Sequence, residues 1–331
     1  MFLLYYIFSY YCNFQIYMGI AIYYLKMDKY INILENILKS KVEIVEEIPN
    51  TNNLVIKFKA NNNIYYLKIY NNKAMHIDNE LMLYQILPEE TKTIFKKLVA
   101  SNYKDKEENK YAVFEEVKGE TLADLLDKDE IDDNFADKIS IKLIEYFQSI
   151  SKIKTNKFGN LNGNLEGNYD NFLKYLYEYQ FPTATTLFLN EKTRHLSSLP
   201  FKLLADNADI LNDNRNCIAP IDSNFKNIII TEDKQIKIID PGAIISSPIS
   251  MGYGELVAHS YGTIIYDKLI KNLGLKELEI KKLSIYAILS LLNIMAFLVR
   301  NNIGEIEKNK PFGNKYSFFQ LIDMHLKIIN S

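Results

Sequence analysis

The chain is poor in the residues that staple or metallate small folds. Its two cysteines, Cys12 and Cys217, cannot build a disulfide framework, and neither lies in a Cys-x-x-Cys pair or a Cys/His cluster. Four scattered histidines argue against a structural zinc site. Arginine is nearly missing: Arg194, Arg215 and Arg300 are the only three among 39 basic residues. Asn, Ile, Lys and Tyr abound instead, a codon bias of an AT-rich genome. No excess of one charge exists either. The 39 basic groups face 41 acidic ones, a net charge of −2, so no basic field would hold nucleic acid, and none is expected as a partner. Internal repeats and low-complexity linkers are absent. What is present is an ordinary globular mix, 48% hydrophobic and 24% charged, and the 331 residues suffice for two lobes.

Charge is lacking altogether at the start, where Lys26 is the first ionised side chain. This stretch is long enough to span a bilayer but has no basic n-region and no small-residue cleavage site. Seven tyrosines with Ser9, Asn13 and Gln15 make it a poor spanning helix. Three readings stay open for residues 1–26: an over-extended start, with Met18 and Met27 as alternatives; a membrane anchor; or a packed helix. The remainder is expected to be cytoplasmic, with membrane anchoring through residues 1–26 as the alternative. A second apolar run, Leu283 to Val299, is interrupted by Ser290 and Asn293 and flanked by amphipathic sequence, which favours a buried core helix.

After Asp28, a cap for a short helix carrying Ile31, Leu34, Ile37 and Leu38, the period changes to that of strands. Residues 41–48, 53–59 and 63–70 predict three strands separated by Asn-rich turns, and 97–103 and 110–117 predict two more around a helix at 76–87. Beyond Gly119 the helical period takes over, at 121–127, 133–152, 169–180, 198–211, 254–272, 276–300 and 317–329. One hairpin, 227–231 with 236–240, interrupts the helices. The fold class is α+β: a small antiparallel-sheet lobe over 27–117 and a mainly helical lobe over 118–331 with an embedded hairpin.

That hairpin carries the informative residues. Asp222 and Asn227 are five apart at the two ends of a loop running into a strand, and Asp240, followed by Pro241 and Gly242, ends the next strand. Hairpin pairing brings Asn227 and Asp240 to the same end, with Asp222 above them. Two carboxylates and an amide oxygen make an oxygen-rich site suited to Mg²⁺. A carboxylate not needed by the metal can orient or deprotonate a hydroxyl nucleophile.

Asp-x4-Asn, a short hairpin and a hydrophobic-hydrophobic-Asp end resemble the catalytic loop and metal-binding segment of the protein-kinase-like phosphotransferases. Within them the chain most resembles the aminoglycoside phosphotransferase and choline kinase family, over residues 41–300. The resemblance implies a two-lobed protein-kinase-like fold and ATP- and Mg²⁺-dependent transfer to a hydroxyl of an aminoglycoside-, choline- or sugar-like molecule, with GTP left open as donor. It implies nucleotide binding by the sheet lobe and a substrate site in the helical lobe. Lys68, in the third strand, matches the Lys that holds the nucleotide phosphates, and Glu80, on the next helix, its pairing Glu. The run from Phe114 to Leu122 resembles the hinge, where the C=O of Glu115 and the N–H of Val117 would meet adenine. Asp222 takes the role of catalytic carboxylate, and Asn227 and Asp240 that of metal ligands. No Ala-Pro-Glu ending an activation loop follows Gly242, which favours a small-molecule kinase over a protein kinase.

Two departures leave a second reading, a nucleotide-binding pseudokinase that regulates a partner. The family's His-Gly-Asp is here Pro220-Ile221-Asp222, and the glycine-rich turn is represented only by Pro49 to Asn53. Asp206, Asp209 and Asp213, just before the catalytic loop, are weaker candidates for binding a cationic substrate. His259 reads as a core or surface histidine and Cys217 as a packing residue.

Overall fold

A computed structural model describes residues 29–48, 53–70, 77–102, 110–162 and 165–331. The expectations for residues 1–26, the Asp28 cap and most of the Pro49–Asn53 turn lie outside the described residues. The chain divides into two compact units. The described residues before 74 group with Leu98–Glu116, and those of Ala74–Lys97 group with Val117–Ser331.

The first unit is an antiparallel sheet with one helix. Residues 29–38 form α1. The strands are β1 (Glu43–Ile48), β2 (Asn53–Ala60), β3 (Asn63–Tyr70), β4 (Leu98–Ser101) and β5 (Tyr111–Glu115), in the order β1-β2-β3-β5-β4. The β2–β3 hairpin turns on Asn61 and Asn62, both with positive φ (49° and 65°), where Asn pays little for the left-handed region. Alternation then sorts the faces. Ile56, Phe58, Leu67, Ile69 and Val113 bury against Tyr30 and Leu34 of α1. Lys68, paired in register with Val55 and Ala112, falls on the opposite face.

The second unit is helical, with two small antiparallel sheets. Its elements are α2 (Ile77–Ile86), α3 (Glu89–Lys92), β6 (Glu120–Thr121), α4 (Leu122–Asp127), α5 (Asp133–Ser151), β7 (Gly159–Asn160), α6 (Phe172–Leu189), α7 (Leu199–Asp206), α8 (Ala208–Leu211), β8 (Cys217–Pro220), β9 (Ile228–Ile230), β10 (Ile236–Ile238), β11 (Ile244–Ser247), α9 (Ile249–Ser260), α10 (Ile264–Leu273), α11 (Glu277–Arg300) and α12 (Phe318–Asn330). One sheet has the order β10-β9-β6 and the other β7-β11-β8. Helices α4, α5 and α6 start on side-chain caps from Thr121, Asp132 and Asn171. The core gathers Leu143, Phe147, Leu256, Ile285 and Leu292 from α5, α9 and α11. Helix α11 is the one described helix long and apolar enough to cross a membrane, and 67% of its apolar window is buried inside the protein.

Several boundaries differ from the sequence pattern, each for a physical reason. Helix α6 runs through Pro182 to Leu189, because Thr183, Ala184 and Leu187 continue its buried face beyond the missing N–H. The expected 198–211 helix breaks at Asn207, whose side-chain amide donates to Leu203 O at 2.9 Å and closes α7. The expected 254–272 helix begins earlier and breaks into α9 and α10 at Gly262, with φ of 78° and the Tyr316 ring beside its Cα. Gly254 stays helical since α9 presses so closely on α11 that a Cβ would lie 2.2 Å from the Tyr286 Cβ. The short strands β6, β7, β8 and β11 carry no readable alternation.

Candidate functional site

The pairing of the two small sheets builds the site. Strand β8 leads into the Asp222 loop and β11 leaves from Gly242, with Ile244 opposite Pro220. Ile221 N donates to Ala243 O at 2.9 Å, which extends that pairing to the residue before Asp222. Asn227 immediately precedes β9, Asp240 lies two residues after β10, and Ile239 N donates to Asn227 O at 2.9 Å. Asp222, Asn227 and Asp240 line one small cavity, walled by Tyr146, Phe147 and Leu256.

Asp222 is held from two sides. Asn224 Nδ2 donates to its Oδ1 at 2.9 Å, while Asn224 Oδ1 accepts from Lys226 N at 3.0 Å and caps the 3-10 turn Phe225–Asn227. Gly242 closes the other side. It has φ of 65°, and a Cβ there would lie 2.4 Å from the Asp222 Cβ and 2.9 Å from its Oδ2. Glycine is thus required both by conformation and by space. Gly242 N in turn donates to Asp240 Oδ1 at 3.2 Å, which ties the Asp240 carboxylate to the backbone that packs against Asp222.

Burial pushes the Asp222 carboxyl above the ordinary aspartate range, partly offset by the Asn224 hydrogen bond, and the charges of Asp240 and Glu255 add to the rise. His259 acts in the opposite direction. Glu255 and His259 sit one turn apart on α9, both buried, with His259 Nε2 3.4 Å from Glu255 Oε1. Helix α9 is anchored near the loop, since a Cβ on Gly252 would lie 3.1 Å from Pro220 O. The donor set fits a hard divalent cation: two carboxylates whose mutual repulsion is felt at Asp222, and an amide oxygen, around one cavity. Among the described residues no group of three or more His, Cys, Asp or Glu is arranged to hold a metal ion, and Asn227 is the third oxygen-bearing residue on this cavity.

Glu80, on α2, is 3% exposed and lies 3.5 Å from Lys96 Nζ. Lys96 belongs to a segment bound to the hairpin: Lys96 N donates to Ile238 O at 3.1 Å and Tyr84 OH to Lys96 O at 3.1 Å. Burial raises the Tyr84 phenol well above its usual range, with the charges of Glu80 and Asp240 adding to it, so Glu80 lies within electrostatic reach of the same phenol as Asp240. In the sheet unit, Lys68 is 6% exposed, with its ammonium 5.2 Å from the Tyr70 ring centre. Glu115 ends β5 opposite Tyr65, Glu116 N donates to Ile64 O at 3.1 Å, and Val117 begins the return to the helical unit. Gly119 follows because a Cβ there would lie 2.2 Å from Ile230 O.

The acidic candidates do not share one situation. Asp206 and Asp209 are exposed at α7 and α8. Asp213 is 8% exposed and committed: Arg215 lies at 2.8 Å and Lys282 at 3.1 Å, and these partners hold its carboxyl well below the usual range against the cost of burial. Cys217 is buried, its thiol 3.4 Å from Ser247 O, and burial pushes it up to about 11. Sequence reasoning did not single out Asn224, Gly242, Glu255 or Lys96. The signals were slight: an Asx residue two after the acid, and a glycine after Asp-Pro.

No protein-family model and no curated protein sequence matches the chain. Solved structures do. The crystal structure of aminoglycoside phosphotransferase APH(4)-Ia is similar over 90% of this chain and 95% of its own, with a TM-score of 0.64 at 12% identity. A thermostable mutant of that protein, in ternary complex with ADP and hygromycin B, gives a TM-score of 0.65 at 12% identity, covering 91% of this chain and 96% of its own. Choline kinase LicA from Streptococcus pneumoniae gives 0.59 at 14% identity over 92% of this chain and 99% of its own. With an antiparallel-sheet N-terminal region and a helical C-terminal region, the chain has the protein-kinase-like fold that these small-molecule kinases share.

Proposed function

We propose that the chain is an ATP- and Mg²⁺-dependent phosphotransferase acting on a hydroxyl of a small molecule. Aminoglycoside-like, choline-like and sugar-like compounds are the acceptors to try, and GTP is the alternative donor. The observation that carries this reading is the convergence of Asp222, Asn227 and Asp240 on one cavity, with Asp222 clamped by Asn224 and Gly242. The likeness to kinases of the same fold supports it.

Asp222 receives or orients the proton of the acceptor hydroxyl. Its raised proton affinity suits that task better than an ordinary aspartate would, because a stronger base takes a hydroxyl proton at lower cost. Asn227 and Asp240 would hold Mg²⁺, which when bound neutralises charge on the transferring phosphate. Lys68 is assigned to nucleotide phosphate; its burial on the sheet face away from that unit's core supports a role other than solvation. Glu80, paired with Lys96 here, is assigned to the orientation of the phosphate-binding lysine. The backbone at Glu115 and Val117 is assigned to adenine. Asp206, Asp209 and Asp213 stay as the minor proposal for a cationic acceptor.

The test is a coupled nucleotide assay on the full chain with ATP, Mg²⁺ and a panel of aminoglycosides, choline and sugars. Asp240→Asn is expected to abolish Mg²⁺-dependent turnover with the fold retained by circular dichroism; unaltered activity refutes the metal assignment. Nucleotide binding without transfer to any acceptor, unchanged by Asp222→Ala, favours the pseudokinase reading that Pro220-Ile221-Asp222 motivates.

A further inference from the structure

One wall of the Asp222–Asn227–Asp240 cavity carries a polar group that the fold leaves unanswered. Tyr146, on α5, is 5% exposed and lines that cavity. Its hydroxyl is buried and has no hydrogen-bond partner among the described residues. No other residue lining the cavity has a buried side-chain polar atom in that state. A buried hydroxyl without a partner costs free energy that a phenylalanine at the same place would not.

The ring, by contrast, is fully used. It meets Phe95 at 5.6 Å and Phe147 at 5.4 Å, both edge-on. Phe147 in turn stacks on Tyr253 of α9 at 4.8 Å. These contacts hold the ring, and the hydroxyl at its tip goes where the ring puts it. On the other side of Phe95, the Tyr84 hydroxyl is answered within the fold, donating to Lys96 O at 3.1 Å. Burial lifts the Tyr146 phenol far above its usual range, so it stays neutral, with an O–H and lone pairs to offer. The rest of the lining says what would use them. Asp222, Asn227 and Asp240 bring two carboxylates and an amide oxygen to the same small space. A hydrated divalent cation answers both: the ion meets the oxygens, and the waters it keeps are donors in need of acceptors.

We propose that Tyr146 is a positioning residue for the divalent cation assigned to Asn227 and Asp240, its hydroxyl oxygen accepting a hydrogen bond from a water that the cation keeps. The phenol thus orients the ion's hydration and holds it against the loop that carries Asp222. This inference rests on the metal assignment within the phosphotransferase reading, and its test separates the two.

Mn²⁺ is titrated into the full chain with and without saturating ADP, and bound ion is read by electron paramagnetic resonance. The part of the binding that Asp240→Asn removes belongs to the site. Tyr146→Phe keeps the ring and deletes only the hydroxyl. It should weaken that part by about 10- to 100-fold. Melted without metal, it should unfold no lower than the wild type, since the lost hydroxyl has no partner in the fold. Tyr175→Phe is the control: that hydroxyl, on α6, is also buried without a partner but lies off the cavity, and its loss should leave Mn²⁺ affinity unchanged. Asp240-dependent binding that Tyr146→Phe leaves intact overturns the proposal and spares the phosphotransferase reading. A Tyr146→Phe chain that melts lower than the wild type assigns the hydroxyl to the fold and overturns it, as does an equal loss of affinity in Tyr175→Phe. No Asp240-dependent binding overturns both this proposal and the metal assignment. Binding that needs Tyr146 and Asp240 without transfer to any acceptor upholds the proposal and refutes phosphotransfer.

Discussion

Asp222 is the residue whose surroundings do most to define it. It lies between a side-chain amide and a glycine, and each support predicts a different failure. Asn224→Ala removes a hydrogen bond that lowers the Asp222 pKa, so the acidic limb of the pH–rate profile should move to higher pH, with nucleotide affinity unchanged. A profile that stays put would show that Asn224 only caps its turn. Gly242→Ala meets both a positive φ and the Asp222 side chain, so stability and turnover should fall together; thermal melting and initial rates check this, and a variant as active as the parent contradicts the packing. The convergence of Asp222, Asn227 and Asp240 on one cavity was legible because hairpin pairing follows from their order and spacing in the linear sequence. Asn224 and Gly242 were not, because their importance depends on pairing between β8 and β11, strands of four residues with no alternation to announce them.

At the scale of elements, the strongest constraints are close approaches and caps. Helix α9 carries Glu255 and His259, and two glycines set its position: Gly252 against Pro220 and Gly254 against Tyr286. Gly254→Ala forces a methyl to within 2.2 Å of the Tyr286 Cβ, which should destabilise the fold by about 1–3 kcal/mol through overpacking. Denaturant unfolding checks this, and an unshifted midpoint would show that α9 and α11 separate freely. The same closeness explains what the sequence concealed. The helix was expected to start at residue 254, whereas tertiary packing holds it from Ile249, with Gly252 and Gly254 inside it. Pro182 hid the second half of α6 in the same manner. The β2–β3 hairpin was legible since Asn61 and Asn62 specify their own turn.

Over the whole molecule, acid sensitivity should trace to buried imidazole. His325 on α12 is fully buried beside the Tyr261 ring at 4.5 Å, and burial lowers its pKa to about 3. Above pH 6.5 the imidazole is neutral folded or unfolded and contributes no slope. Below it the unfolded chain takes up a proton that the folded chain refuses, so this group lowers stability as pH falls from about 6.5 toward 3, by up to about 1.4 kcal/mol per unit. His325→Leu should flatten that slope in urea unfolding between pH 7 and 5; an unchanged slope would assign the sensitivity elsewhere. Where the sequence period placed everything from 27 to 117 in one lobe, α2 and α3 group with the helical unit although they precede β4 in the chain.

The central claim is that the Asp222–Asn227–Asp240 cavity is a phosphoryl-transfer site. Its most direct measurement is transfer of the terminal phosphate of labelled ATP to a hydroxyl acceptor by the wild-type chain and by Asp222→Asn. The account predicts a labelled acceptor with the wild type and a rate at least about 10²-fold lower with Asp222→Asn, with nucleotide still bound. Equal transfer by both proteins would contradict it.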